Sequence, residues 1–474
     1  ARDSLRNDHQ YVERYKLSID SNARVSDTAF WSSVRPIPLA RSEMLSVVRN
    51  DTLLARRKKD GDSTAQTKPA KQRPLSVLLT GGMAEIDSVN RLSSNGLLYP
   101  FGVSFSTVDG LTYGTRFTYT RFKTEKYKAV VDFAPAFGFT SGDFMWTTSV
   151  GVEGQGNLKN KFRINGGSLH PDFNREGGAM AIENALSTLL FRQNLSRLYQ
   201  YDFIRVAHSL QPFFGASLST ALTLSESASL QNQSDFSLFY KDSRSFSSNI
   251  PASPLYQMER HRDLIFEMVL TYKPMPFYYI KDGVKVPRRG LNRAPEFFAG
   301  IRRAIPSGSF TTDFTMLHAG LRQEIATGPG ERLKIEAESG KYITADRIYY
   351  DDLTHFSAQP LIVGGKNLFN TFQLINYYNF STNEAWLKAF AGYSSRHLLF
   401  TRLPVLRNRL WQEQASVGLL AVQHQGYHIE GGFGLGNSLY NFGVFTVVND
   451  KGKWRWGFRL AIPVFSTREI TVGM

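Results

Sequence analysis

Cysteine is absent from the 474 residues. That removes disulfides, zinc–thiolate sites and thiol nucleophiles together, and it suits an oxidising compartment where a stray thiol is a hazard. Also missing is any uninterrupted apolar run near the ~20 residues that a spanning helix needs. With a mean hydropathy of −0.27 the chain does not read as a bundle of transmembrane helices. Ala1 to Gln10 are polar and charged, so no signal peptide is read there, which suits a mature secreted chain and a cytosolic one alike. Charge balance is missing too: the net charge is +15, with a pI of about 9.7. Part of the excess lies in Arg56-Arg57-Lys58-Lys59 with Lys68, Lys71 and Arg73, among Gly61, Ser63, Thr64, Thr67 and Pro69. That composition describes a linker. No aromatic residues interleave with the basic ones, as a single-strand nucleic-acid binder would require, so no nucleic-acid partner is expected.

What is present is aromatic and periodic. There are 35 Phe, 21 Tyr and 6 Trp, 13% of the chain. From about Leu98 onward, segments of roughly ten residues alternate apolar with polar and are separated by turn sequences. In the last of them Trp454, Trp456, Phe458, Leu460, Ile462 and Val464 share one face, while Arg455, Gly457, Arg459 and Ala461 share the other. This is the period of two that marks a strand. Asn449-Asp450-Lys451-Gly452 precedes it as a turn, and Tyr440, Phe442, Val444 and Thr446 alternate with Asn441, Gly443 and Phe445 before that, which makes a hairpin. Near the other end, Tyr99 to Thr107 leads through Asp109-Gly110 to Leu111, Tyr113, Thr115, Phe117 and Tyr119, alternating with polar neighbours. Segments around Ala129 to Phe137 and Phe144 to Val152 continue the pattern. Others lie near Tyr201 to His208, Phe213 to Leu224, Phe236 to Lys241, Asp263 to Lys273, Phe297 to Arg303, Phe310 to Glu324, Leu333 to Glu338, Phe372 to Phe380, Ala385 to Tyr393, Ala415 to Gln423 and Gly426 to Leu435. The expectation is about 16 strands, between roughly 14 and 18, of the length a tilted membrane strand requires.

Two features separate a membrane barrel from a soluble β protein. Large aromatics (Tyr113, Phe117, Tyr119, Trp146, Trp454 and Trp456) stand where a soluble protein would place charge, as a lipid-facing wall with aromatic girdles would. The opposite face is small and polar, unlike the dry core of a sandwich. No water reaches backbone groups in the hydrocarbon layer, so such strands must close on themselves. The fold expected is all-β: an antiparallel transmembrane β-barrel over residues 98–474, preceded by a partly helical region over 1–97. Within that region Asp27 to Leu39 is extended, Ala40 to Asn50 is helical, and the basic linker follows. Two further segments break the strand pattern. Gly177 to Asn194 carries Met180, Ile182, Ala185, Leu186, Leu189 and Leu190 at helical spacing, and is expected as a loop helix in preference to a lumen plug. His397 to Leu410, apolar and basic with Pro404 inside, suits a loop at the membrane interface or the barrel mouth.

Candidate chemistry is sparse. There is no His-Glu-x-x-His, no phosphate-cradling glycine motif with Lys-Ser/Thr and no Gly-x-Ser-x-Gly elbow. His261 lies between Arg260 and Arg262, whose charges would oppose a cation. His424 and His428 have Gly426 between them in a strand context, which does not put both on one helical face for zinc. Gly431-Gly432-Phe433-Gly434-Leu435-Gly436 lies in a strand, where glycine lets neighbours approach closely. Asp351-Asp352 reads as a solvated loop, and Glu336 with Glu338 as a lumen-facing strand. No catalytic, cofactor-binding or metal residues are expected, and no cofactor.

Three stretches carry a family resemblance. Asp27-Thr28-Ala29-Phe30-Trp31-Ser32-Ser33-Val34-Arg35-Pro36-Ile37-Pro38-Leu39 is similar to the "Asp-Ser-x-Tyr/Phe-Trp … Arg-Pro-x-Pro-Leu" stretch of a domain-of-unknown-function family of outer-membrane barrels. Members of that family usually carry an N-terminal carboxypeptidase-regulatory-like β-sandwich. Phe372 to Ala389, with Ser381-Thr382-Asn383, resembles the family's tyrosine-rich Ser-Thr-Asn strand pair. Leu403-Pro404-Val405-Leu406-Arg407 resembles its "Ile-Pro-Leu-Leu-Arg" loop. In order and spacing the three span most of the chain. Two departures stand out: the sequence starts without the regulatory-like module, and it ends in Met474 where outer-membrane barrels usually end in an aromatic residue. The resemblance implies the outer membrane of a Gram-negative bacterium and a barrel, with no agreed activity.

The function expected is that of an integral outer-membrane barrel, not an enzyme, serving as a structural or accessory subunit of an envelope machine for protein assembly or export. Outer-membrane lipids and lipopolysaccharide would surround it, other outer-membrane or periplasmic proteins would be its partners, and the 1–97 region would be periplasmic. The alternatives are a channel or transporter for solutes or hydrophobic molecules and, behind it, a hydrolase at the barrel rim. No aromatic-capped plug domain with a start resembling a TonB box is read before the barrel, and no repeated α/β modules are either.

Overall fold

The computed structural model describes residues 74–462 apart from short internal stretches, the longest of which is 401–410. Helix α1 (Pro74–Thr80) leads into a short hairpin, β1 (Gly82–Glu85) and β2 (Asn90–Ser94). There follow β3 (Val103–Ser106), β4 (Gly110–Gly114), β5 (Phe117–Thr124), β6 (Tyr127–Gly138), β7 (Phe144–Gly154) and β8 (Asn160–Leu169). Helix α2 (Ala181–Phe191) precedes β9 (Tyr199–Leu210), β10 (Ala216–Ser229) and β11 (His261–Tyr272). A small separate hairpin, β12 (Tyr278–Lys281) with β13 (Val284–Pro287), is followed by β14 (Glu296–Ala304), β15 (Asp313–Gly328) and β16 (Glu331–Arg347). The two-residue β17 (Val363–Gly364) lies within the long loop after β16, and β18 (Trp386–Ser395), β19 (Gln412–Val422), β20 (Gly426–Gly436), β21 (Asn441–Asn449) and β22 (Trp454–Ala461) complete the described strands.

Each wall strand pairs antiparallel with the next, from β2 on β5 through β6, β7, β8, β9, β10, β11, β14, β15, β16, β18, β19, β20 and β21 to β22. β3 pairs with β4, and β4 pairs with β6 beyond the end of β5. With β2 and β3 as one interrupted strand, and β4 and β5 as another, the wall has sixteen strands among the described residues. β1 adds a short arm on β2. This up-and-down antiparallel meander is the wall of a transmembrane β-barrel. It starts upstream of Leu98, before the boundary expected at 97/98. Among the described residues no helix is long and apolar enough to cross a membrane.

The faces of the wall differ as strand alternation requires. Val150, Val152, Phe162, Ile164, Ile204, Leu222, Leu270, Phe297, Leu317, Val417, Phe442 and Val444 are exposed apolar residues on one face. On β22, Trp454 and Trp456 are 74% and 70% exposed, while Arg459 on the opposite face is buried. That opposite face holds paired charges. Glu153 binds Lys128, Lys161 and Arg163; Glu338 binds Lys388 at 2.9 Å; Arg205 and Arg302 share Glu267. The apolar side therefore faces outward and the charged side faces the lumen, the reverse of a soluble barrel.

Two segments expected as strands are loops. Phe236 to Lys241 and Phe372 to Phe380 both have strand-like composition, but neither joins the sheet. Their backbone groups bond to side chains and to other loops: Leu238 N–H donates to Leu189 C=O, and Gln373 N–H to the Glu430 carboxylate. β8 is a wall strand not expected from the sequence: its outer face carries only Phe162 and Ile164 before Gly166 and Ser168, while Lys161 and Arg163 face the lumen.

Candidate functional site

The three longest loops, 170–198, 230–260 and 348–385, follow β8, β10 and β16. Strand alternation places all three at the same rim. They do not extend from that rim; two of them fold back against the inner wall. From loop 348–385, Phe356, Ala358, Phe372 and Ile375 pack on the inward residues Trp386, Phe390, Leu420 and Val422. Tyr350 and Leu353 pack with Phe173 of loop 170–198 on Tyr199, Tyr201 and Phe203 of β9. In this sector the inner wall is apolar, because it faces a plug and not water.

Polar wall residues fix the plug's backbone. Glu430 on β20 accepts the N–H groups of Gln373 and Leu374, at 2.7 Å each, and its carboxylate lies 2.6 Å from His428 Nε2. Arg459 on β22 donates to the carbonyls of Gln359 and Gln373. Tyr342 on β16 donates to the Asp352 carbonyl at 2.8 Å. β17 lies parallel to the edge of β22, with Leu460 N–H donating to Ile362 C=O at 2.7 Å. Gly364 in β17 is tight: a Cβ there would lie 2.1 Å from the Gln359 side chain and 2.5 Å from that of Glu183.

The two plug loops interlock. Asn174 Nδ2 donates to Phe356 C=O at 2.9 Å, and Tyr378 OH donates to Asp172. Helix α2, expected over 177–194, spans Ala181–Phe191 and ends where Arg192 takes a left-handed conformation, φ 53°. It buries its polar side, Glu183, Asn184, Ser187 and Thr188, and leaves Ile182, Leu186 and Phe191 exposed. Phe236, Leu238 and Phe239, on the segment bonded to Leu189, are exposed as well. The apolar stripe that suggested an amphipathic helix thus points outward from the plug.

A buried ionic cluster joins the plug to the wall where β11 begins. Asp351 and Asp352, expected as a solvated loop, are buried in a 3-10 turn, Tyr350–Asp352. His261 Nε2 lies 3.2 Å from Asp351 Oδ1 and 3.4 Å from Asp263 Oδ2. Arg302 donates to Asp352 Oδ1 at 2.7 Å, and Arg175 Nη2 lies 3.9 Å from Asp351 Oδ2. Burial, and then the charges of Asp263 and Asp351, push the Asp352 carboxyl well above the usual range. Asp351 is held low against the same burial by His261 and Arg175. Arg260 and Arg262 do not oppose charge at His261. Strand alternation turns them to the other face, where both bind Glu226. Nearby in the plug, burial lowers the pKa of His355 to about 4; its Nδ1 lies 2.7 Å from Ser381 Oγ and its Nε2 3.1 Å from Tyr350 C=O.

The other candidate residues fall as follows. Register places Tyr113, Phe117, Tyr119 and Trp146 on the outer face, opposite Phe137, Phe133, Val131 and Pro135. They are half-buried, and Tyr113 and Tyr119 donate to Leu97 C=O and Asn90 Oδ1 at 2.6 Å. Trp454 and Trp456 project fully on the same face. Ser381, Thr382 and Asn383 close the plug loop: Thr354 and Thr382 exchange backbone hydrogen bonds of 2.9 and 3.1 Å. Trp31, Arg35, Pro36, Pro38, Leu39 and Pro404 lie outside the described residues. His424 pairs with Glu384 in a turn, away from the buried His428. Within the glycine run, a Cβ on Gly432 would come 2.3 Å from the Phe445 ring, so glycine there admits an aromatic side chain of the next strand. Glu338 faces the lumen, as expected.

Among solved structures, BamA from Haemophilus ducreyi lacking POTRA domains 1–3 is similar over 84% of this chain and 78% of its own, at 9% identity and a TM-score of 0.42. CdiB from Acinetobacter baumannii is similar over 79% of this chain and 60% of its own, at 12% identity and a TM-score of 0.36. The copper transporter OprC is similar over 76% and 62%, at 10% identity and a TM-score of 0.28. This chain spans less than two thirds of the CdiB structures it resembles. No curated protein matches its sequence. The C-terminal domain of DUF5686, a family of unknown function, matches residues 75–435, most of the chain, and the protein belongs to that family.

Proposed function

We propose that this outer-membrane barrel is a structural or accessory subunit of an envelope machine that assembles or exports proteins. The observation that carries the reading is the plug: a sixteen-strand wall is wide enough for an aqueous channel, yet here two loops fold against its inner face and wall residues hold them by backbone hydrogen bonds. A barrel closed from within works through its surfaces. The exposed apolar residues of α2 and of 236–239 at the long-loop rim offer one such surface. In this reading the protein is not an enzyme, lipids and lipopolysaccharide surround it, its partners are other outer-membrane or periplasmic proteins, and its N-terminal region is periplasmic.

The test is extraction in mild detergent with chemical cross-linking, followed by identification of what co-purifies. A stable set of envelope proteins is expected, together with electrical silence in planar bilayers. Solitary barrels that conduct in bilayers would contradict the reading. One observation favours a channel as the second reading: the charged inner wall at Glu153, Glu338 and Glu267 would suit an aqueous path once the plug is displaced.

A further inference from the structure

We propose that His261, Asp351, Asp352 and Asp263 bind one divalent transition-metal ion, Zn²⁺ foremost, which staples the plug loop to the wall. The case starts from hydrogen bonds that are not made. His261 Nε2 and both oxygens of Asp351 are buried and accept or donate no hydrogen bond, and Asp352 Oδ2 is in the same position. The side chains of His261 and Asp351 are 0% and 1% exposed. A buried polar atom left without a hydrogen bond costs about 1–3 kcal/mol, even where an opposite charge lies nearby. Nε2 is near enough to two carboxylate oxygens, at 3.2 and 3.4 Å, but is not aligned with either for a hydrogen bond. Those separations match neighbouring ligands of a single tetrahedral ion: Zn–N and Zn–O bonds of about 2.0–2.1 Å put ligand atoms about 3.3 Å apart. Ligand atoms of His261, Asp351 and Asp352 all lie within 4.8 Å of one another.

The outer atoms of three of the four residues are already held. His261 Nδ1 lies 2.8 Å from Glu259 C=O, so Nδ1 donates there and Nε2 is the nitrogen that would take the ion, losing its proton on binding. Asp352 Oδ1 accepts from Arg302, and Asp263 Oδ1 accepts from Thr312. Metal sites are commonly supported in this way, with the far atom of each ligand fixed by a second hydrogen bond. One imidazole nitrogen with carboxylate oxygens and no sulfur suits Zn²⁺, with Mn²⁺ a weaker fit. His261 and Asp263 belong to β11, and Asp351 and Asp352 to the plug, so the ion would bridge the two parts that must stay together for the lumen to remain closed. The staple stands or falls independently of what the barrel assembles with.

The test uses the whole protein, produced in zinc-supplemented medium and purified in detergent without chelator, with metal counted by mass spectrometry. About one zinc per chain is expected, and X-ray absorption should show nitrogen and oxygen neighbours at about 2.0 Å including one imidazole. His261→Ala and Asp351→Asn should each lower the count at least about tenfold, while His208→Ala, which faces Asn160 far from any carboxylate cluster, should leave it unchanged. Wild-type protein with under about a tenth of an equivalent overturns the proposal, and so does an equal count in all variants, which would mean surface binding. Should the variants fail to fold, wild-type protein produced with Co²⁺ decides the matter. The intense visible bands of a tetrahedral ion are expected, and the weak bands of an octahedral or adventitious ion would overturn the site.

Discussion

The outside of the wall and its inside obey opposite rules within single strands. On β22, Trp454, Trp456 and Phe458 project where only lipid could cover them, while Arg455 and Arg459, one residue along, reach inward to carbonyls of the plug. The outer face is held by transfer of apolar area out of water, a term that is non-directional and tolerant of exchange among apolar residues. The inner face is held by directional bonds whose partners lie far away in sequence, such as Glu430 with Gln373. A protein built this way should be robust outside to any change that stays apolar, and fragile inside to changes of a single atom.

That contrast can be broken most forcefully at Glu430. Glu430→Ala leaves the buried N–H of Gln373 and the half-buried N–H of Leu374 without an acceptor, at about 1–3 kcal/mol each. We expect the plug to loosen by about 4 kcal/mol, read as new conductance and new protease cuts within 348–385, with the barrel still folded. On the outer face Val150→Arg should cost about 3 kcal/mol of barrel stability in vesicles. The same substitution at Ser149, one residue along and facing the lumen opposite Asp132, should cost less than about 1 kcal/mol. Equal costs at the two positions would erase the distinction between the faces.

Acid should weaken the plug through His355. Its pKa falls from 6.5 to about 4 through burial, with Arg175 and Arg302 acting in the same sense, and the Tyr350 carbonyl and Asp351 opposing. The plugged state therefore binds fewer protons than the released state between those values. Its stability is full above pH 6.5 and declines as pH falls through the window, by about 3 kcal/mol at pH 4. Conductance should rise over that range, and His355→Gln should flatten the dependence. The smallest effect is expected at the rim: Arg262→Ala removes an exposed ion pair with Glu226 and should change stability by less than about 1 kcal/mol.

The wall was legible in the sequence wherever one face met lipid and the other met water. Period two then alternates apolar with polar, as in β22, and its outer residues could be named. The plug was not legible, because its segments are buried by contacts that leave no period. Phe372 to Phe380 resembles a strand, yet its donors go to a glutamate some sixty residues away. Asp351-Asp352 reads as solvated because acidic pairs usually are; only the fold brings His261, Arg302 and Arg175 to it. One signal was available and misread. Period two at Arg260-His261-Arg262 already puts the arginines on the face away from the histidine, so their charges were no argument against a cation there.

The most direct test of the plugged lumen is the conductance of the purified protein in planar bilayers, before and after deletion of residues 354–382. The intact protein should be silent at neutral pH, and the deletion should open a steady aqueous pore of the width a sixteen-strand wall allows. An intact protein that conducts steadily, with a current the deletion leaves unchanged, would contradict the claim that its own loops close this barrel.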